Sequence, residues 1–188
     1  RHSDINKQEY SKFPNFFRNW RKRATIELVP ILKGRHDIDA NYDLLEAYLE
    51  QPFERSYDTW VTLRDDEFLL NRWGLHRKEY VCLQPGAANG ALTPKTWHPK
   101  NFVELSRILF ESRQMKVVLL GDQGDQEEII SKYEWPETVI NTAAKTSIED
   151  LGSLVSNAAC VVAHDSGVMH LANAMKTPLV ALYGPTDY

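Results

Sequence analysis

The sequence predicts a doubly wound α/β fold built on a parallel sheet, and three observations predict it. From about residue 79 onward, short apolar runs alternate strictly with segments of helical spacing. The runs are four or five residues long and lack polar alternation, as strands covered on both faces require. Each is followed by enough chain for a crossover helix, which parallel neighbours need and hairpin neighbours do not.

The elements follow in order. Residues 39–51 carry Tyr42, Leu44, Leu45, Ala47, Tyr48 and Leu49 in a helical rather than alternating pattern, and Pro52 stops it. Residues 80–84 form a short strand. Residues 99–112 form a helix with Phe102, Leu105, Ile108 and Leu109 at helical spacing, and 116–120 a buried strand. Then come a helix over 125–133, capped at Asp125, a strand over 138–140 and a helix over 147–157. A strand over 160–163, a helix over 168–175 and a strand over 179–182 complete the series.

The part before residue 79 has a different character. It is aromatic and basic, with Phe13, Phe16, Phe17 and Trp20 among Arg18, Arg21, Lys22 and Arg23, and little regular alternation. Residues 1–78 are read as the end of a preceding domain and its linker, and 79–188 as a second domain. The basic-aromatic piece reads as an irregular solvated flank, with contact to an anionic acceptor or a membrane surface as the competing reading. The chain lacks an initiating Met and stops just after a strand-like run and the turn Gly184-Pro185-Thr186. Both ends are expected to be cuts or disorder.

Composition narrows the function classes. With 43% hydrophobic and 26% charged residues over 188 positions, the chain reads as a soluble globular protein with one complete core. Its 26 acidic and 22 basic residues are mixed along the length, so no basic face announces nucleic acid. No stretch approaches the roughly 20 apolar residues that span a bilayer. Cys82 and Cys160 each sit in an apolar run and read as core thiols of a reducing compartment rather than as a disulfide or metal pair.

In doubly wound sheets ligands bind beyond the carboxyl ends of the strands. After the first strand, Pro85-Gly86-Ala87-Ala88-Asn89-Gly90 is a run of small residues that lets a ligand approach the backbone, and it leads to Lys95 and Trp97. This is neither a Walker loop nor a G-x-G-x-x-G fingerprint. After the second strand, Gly121-Asp122-Gln123-Gly124-Asp125 with Glu127 and Glu128 offers acids for a ribose hydroxyl pair, although helix capping explains them equally well.

The strongest local signal is His164-Asp165-Ser166-Gly167-Val168-Met169-His170. Asp165, Ser166 and Gly167 put a turn and free amides at a helix start, where the positive dipole end meets anionic oxygens, and His170 lies one turn along. That outlines a pyrophosphate site. A hydrolase triad is disfavoured by the lack of a G-x-S-x-G elbow. A metal site from His164, Asp165 and His170 is disfavoured because the two histidines should diverge, and no Asp-x-Asp motif stands at a strand end.

Together, Pro85-Gly86-Ala87, Lys95-Thr96-Trp97, Val117-Val118-Leu119-Leu120-Gly121, Lys145-Thr146-Ser147, the run from Asp165 to Ala172 and the run from Pro178 to Thr186 resemble the ADP-heptose:lipopolysaccharide heptosyltransferases, glycosyltransferase family 9. The resemblance covers residues 80–188. It implies the nucleotide-sugar-binding half of a GT-B fold, and inverting, metal-independent transfer of a heptose from ADP-heptose to the lipopolysaccharide inner core. No cofactor is implied. The place of action would be the cytoplasmic face of the inner membrane of a Gram-negative bacterium, with peripheral contact at most. By the same resemblance Lys95 contacts the donor phosphates, Gly86 and Ala87 line the phosphate loop, and Thr146 sits near the adenine. Asp165, Ser166, Gly167 and His170 bind the pyrophosphate and sugar. The ribose acid is Asp125, Glu127 or Glu128, with Glu127 taken as representative. The family's catalytic aspartate falls in a segment absent here, so no general base is named, and the fragment alone is expected to bind donor at best. The competing readings are another GT-B nucleotide-sugar transferase or epimerase, and a non-catalytic nucleotide-sugar-binding protein.

Overall fold

The computed structural model describes residues 37–56, 67–86 and 96–184. Residues 37–56 belong to one compact unit and the rest to a second.

The first unit holds α1 (Asp37–Leu49). Glu50 takes a left-handed conformation (φ 53) and Pro52 follows, so the helix ends where the sequence expects it to. Carboxylates spaced along one helix face converge on a single guanidinium: Arg55 meets Asp43 at 2.7 Å, Glu46 at 2.9 Å and Asp39 at 3.3 Å. The return strand of chain is further fixed by the Ser56 amide, which donates to the Tyr42 hydroxyl at 2.8 Å.

The second unit contains α2 (Glu67–Arg72), β1 (Tyr80–Gln84), α3 (Pro99–Arg113), β2 (Lys116–Leu119) and α4 (Gln123–Glu128). A 3-10 turn (Ile130–Lys132), β3 (Val139–Asn141), α5 (Ile148–Asn157), β4 (Cys160–His164), α6 (Gly167–Ala174) and β5 (Leu179–Leu182) follow. The strands form one sheet in the order β3-β2-β1-β4-β5. Every pairing is parallel, with Leu83 beside Leu119 and Gln84 beside Ala163.

The expected burial on both faces is what the side chains do. In β1, Tyr80 and Cys82 join one core with Leu69 and Leu70 of α2, Leu154 and Val155 of α5, and Val168, Met169 and Ala172 of α6. Val81 and Leu83 point the other way, into a core closed by Phe102 of α3 and Ile130. Residues 67–75, expected to belong to the preceding stretch of chain, thus supply Leu69, Leu70 and Leu75 to the sheet's own core. Lys78 ties this entry to α5 by donating to Ser156 O at 3.0 Å and Ala158 O at 2.9 Å, which satisfies carbonyls that the helix end leaves open.

Two expectations need correction. The helix expected over 125–133 starts earlier and splits. Its N-cap is Asp122, not Asp125: the Asp122 carboxylate accepts the Asp125 amide at 2.9 Å, and the Asp125 side chain reaches back to the Asp122 amide at 3.3 Å. Ile129 and Ile130 are then both buried, and the chain passes from α4 into the 3-10 turn. Cys160 is only half-buried, whereas Cys82 is fully enclosed; both are free thiols. Burial raises both thiols above the ordinary range, so neither is a ready thiolate.

Candidate functional site

The chain runs outward from β1 through β2 to β3, then returns to place β4 on the other side of β1. The switch point of the sheet therefore lies between β1 and β4, where a crevice opens at the carboxyl ends of the strands. A cavity of about 830 Å³ occupies this edge. Its wall takes Gln84 from β1, Gly121, Asp122 and Asp125 from the turn after β2, Ala144, Thr146 and Ser147 from the turn after β3, and Ser166, Gly167 and His170 from the start of α6.

The start of α6 is open to that space. Ser166 is the N-cap in extended conformation, yet its side chain makes no bond to the helix. The hydroxyl instead donates to Gln84 Oε1 at 2.5 Å, across the switch point. The first-turn amides are thus left without a serine cap, the arrangement in which a helix end attracts an anion. At the facing helix, α5, Ser147 and Asp150 form a full capping box with 3.1 Å bonds in both directions. That helix end is closed by its own side chains, so the anion-seeking end is α6.

Asp125 fills a slot that only glycines permit. A Cβ built on Gly86 would lie 1.7 Å from Asp125 Oδ1, and one on Gly121 would lie 2.7 Å from Asp125 Cβ. The Gln84 side chain lines the same cavity. Enclosure in this slot is the main reason its pKa is pushed up to about 6; the nearby Asp122 charge adds to the rise, and the bond from the Asp122 amide opposes it.

His164, the last residue of β4, holds the floor together. It is 1% exposed; its Nε2 accepts the Trp97 amide at 2.8 Å, and Nδ1 lies 2.9 Å from Gly86 O. Because a backbone amide can only donate, Nε2 is unprotonated and Nδ1 donates to the Gly86 carbonyl. Phe102 packs edge-on against the imidazole with centroids 5.3 Å apart, and Trp97 packs on Phe102 at 5.0 Å. Burial lowers the imidazole pKa below its usual 6.5. Both ring nitrogens serve the protein, so His164 is not available as a metal ligand. Among the described residues, no group of three or more His, Cys, Asp and Glu side chains is placed to hold a metal.

These two groups pull stability in opposite directions on acidification. The unfolded chain protonates His164 near pH 6.5 while the folded state resists, so the stability this neutral ring contributes is complete above that pH and is lost as pH falls below it. Asp125 does the reverse: its folded pKa of about 6 exceeds the unfolded 3.8, so folding gains as pH falls through 6. Asp125→Asn removes only the compensating gain. Chemical denaturation at pH 7 and pH 5 should show the variant losing roughly 1 kcal/mol more than the wild type. Equal losses would contradict the shift at Asp125.

The sequence-predicted residues fall in different places. Thr146, Ser166, Gly167 and His170 all line the cavity. Gly86 is buried beneath it, against Asp125. Asp165 is exposed in the turn before α6 and does not line the cavity. Of the three ribose-acid candidates only Asp125 lines it, joined by Asp122. Glu127 is exposed and bonded to the Gln123 amide, and Glu128 pairs with Lys132. Ala87 and Lys95 lie outside the described residues, as do the aromatic-basic stretch 13–23 and Asp65-Asp66. Sequence reasoning missed Gln84 and the structural duty of His164. Gln84 has one available signal: a polar residue ending an otherwise apolar strand at the carboxyl edge of the sheet.

A model described as glycosyltransferase family 9 (heptosyltransferase) matches residues 16–188. The chain belongs to glycosyltransferase family 9. Among curated family relatives, it is 28% identical over 179 residues to lipopolysaccharide heptosyltransferase 3 of Escherichia coli K12, covering 90% of this chain and 49% of that protein. The solved E. coli ADP-heptose lipopolysaccharide heptosyltransferase II superposes with a TM-score of 0.58 at 30% identity, covering 69% of this chain and 40% of that one. A family 9 glycosyl transferase from Veillonella parvula superposes with a TM-score of 0.70 at 20% identity over 90% of this chain and 50% of that one, a likeness of fold. The chain therefore spans about half the length of the family relatives it matches. Its parallel sheet is the Rossmann-like half of a GT-B fold.

Proposed function

We propose that the protein transfers a heptose from ADP-heptose to the inner core of lipopolysaccharide, and that residues 79–188 are its donor-binding part. The observation that carries this reading is the uncapped start of α6, at Ser166-Gly167, opening into a cavity of about 830 Å³ at the switch point of the sheet.

In this reading the donor's pyrophosphate lies against the first-turn amides of α6, with the His170 side chain one turn along to meet charge that develops on the leaving diphosphate. Lys95 supplies a further cation. Thr146 stands on the adenine side, and Asp122 or Asp125 takes the ribose hydroxyls in place of Glu127, which does not line the cavity. Helix dipole, lysine and histidine together stabilise the departing diphosphate without calling on a metal, and transfer proceeds with inversion. The acceptor and the general base come from the other GT-B half, so residues 1–188 on their own bind donor without transferring it. No helix among the described residues is long and apolar enough to cross a membrane. The enzyme works at the cytoplasmic face of the inner membrane through peripheral contact.

The test is turnover of ADP-heptose by the whole enzyme with Lys95→Ala or His170→Ala. Each substitution should reduce kcat/KM by roughly 1–3 kcal/mol of transition-state stabilisation, about 5- to 150-fold. Wild-type turnover in either variant would remove that residue from the site.

A further inference from the structure

The backbone ladder between β1 and β4 ends at Gln84 and Ala163, and beyond it the two chains part as the crevice opens. Two side chains carry the pairing further, each reaching from the end of one strand to the chain that leaves the other. Gln84, closing β1, holds the Ser166 hydroxyl at 2.5 Å, and His164, closing β4, holds the Gly86 carbonyl through Nδ1 at 2.9 Å. Gln84 is 6% exposed and His164 1%, so water does not replace either tie. His164 makes a second tie: its Nε2 accepts the Trp97 amide at 2.8 Å, in the chain that leads into α3. One imidazole therefore holds the chain leaving β1 and the chain entering α3, while its own backbone stands just before the N-cap of α6, Ser166.

We propose that His164 is a positioning residue for the diphosphate of the bound nucleotide: by tying Gly86 and Trp97 to the end of β4, it sets the spacing between the turn after β1 and the first amides of α6. The inference rests on the donor-binding reading above. His164 does not line the cavity, and both its nitrogens are occupied, so it acts through the backbone it holds and not by touching the ligand. The role needs a donor and an acceptor at once on a rigid buried frame, which the Nδ1-protonated neutral imidazole supplies and a phenyl ring does not. Where two sides must meet one ligand, a misplacement of about 1 Å can cost up to about a hundredfold. The far end of the cavity is built by Asp122 and Thr146, on the turns after β2 and β3, which His164 does not tie. The effect should therefore fall on the diphosphate and spare the nucleoside.

The test compares a ligand that carries the diphosphate with one that lacks it. ADP and adenosine are titrated into the whole protein as wild type, His164→Phe and His164→Asn. His164→Phe keeps a ring beside Phe102 but loses both ties, and should weaken ADP about tenfold while moving adenosine by less than about twofold. His164→Asn offers an amide N–H to the Gly86 carbonyl and should weaken ADP by only about threefold, again sparing adenosine. Equal weakening of the two ligands, or unchanged ADP binding in both variants, would show that His164 serves the fold alone. ADP weakened as much by His164→Asn as by His164→Phe would show that the Gly86 tie does not place the diphosphate. Each of these results overturns the inference and leaves the donor reading standing, whereas a wild type that binds no ADP overturns both.

His164→Phe leaves a buried amide and a buried carbonyl unpaired, and circular dichroism checks that it folds; if it does not, His164→Asn carries the comparison. The tie is also read in the wild type, from the imidazole nitrogen signals by NMR. They should show the proton on Nδ1 and none on Nε2, with ADP and without it, and a proton on Nε2 would overturn the inference.

Discussion

Replacing Phe102 by Ala is expected to lower the unfolding free energy by about 3–5 kcal/mol, the range for deleting a fully enclosed aromatic ring. Phe102 is 0% exposed and stands between Trp97 and His164, touching both edge-on. Its removal leaves a void under the imidazole that fixes Gly86 and Trp97, so the damage reaches the floor of the cavity as well as the core between α3 and the sheet. Urea denaturation followed by far-ultraviolet circular dichroism measures the first effect. Phe102→Leu keeps most of the buried volume and should recover more than half of the loss. If the Ala variant unfolds within 1 kcal/mol of the wild type, the packing role given to the ring is wrong.

Gly86→Ala should be the most damaging single methyl in the site. The added Cβ would arrive 1.7 Å from Asp125 Oδ1, on a carboxyl that is held by the Asp122 amide at 3.3 Å and packed close to Gly121. Overpacking of this kind costs about 1–3 kcal/mol, and here relief requires Asp125 to leave its capping box or the β1 turn to shift. Combining Gly86→Ala with Asp125→Ala removes the obstruction. The double variant should be more stable than the sum of the two single losses predicts, by at least about 0.5 kcal/mol in a double-mutant cycle. Additive losses would show that the two residues do not share the slot.

The fold was legible because its signals are local and redundant. Each strand is a short apolar run between helical segments, and in β1 the alternate residues Tyr80, Cys82 and Val81, Leu83 feed opposite cores, which is why no polar alternation appears. The split after Glu128 was not legible, since it depends on where Ile129 and Ile130 find room. Likewise, the sequence reading puts the cap at Asp125, and only the structure shows that Asp122 caps while Asp125 answers it.

The site divides the same way. Thr146 on the turn after β3, and Ser166, Gly167 and His170 at the start of α6, stand where the strand-to-helix alternation already locates them, so sequence order alone brings them to one edge of the sheet. Which of Asp125, Glu127 and Glu128 lines the cavity is a question of helix phase, set by the cap at Asp122 and by the hollow that Gly86 and Gly121 leave for one carboxyl. Gln84 and His164 gain their roles from partners about eighty positions away, in Ser166 and in Gly86, which no local pattern announces.

The central claim is that the cavity at the switch point binds an adenine nucleotide diphosphate through the start of α6. The most direct test is calorimetric titration of the whole protein with ADP, UDP and GDP, first without divalent metal and then with magnesium. Selective binding of ADP, indifferent to magnesium and weakened in His170→Ala, is the predicted result. A preference for UDP or GDP, or binding of ADP that His170→Ala leaves untouched, would contradict it.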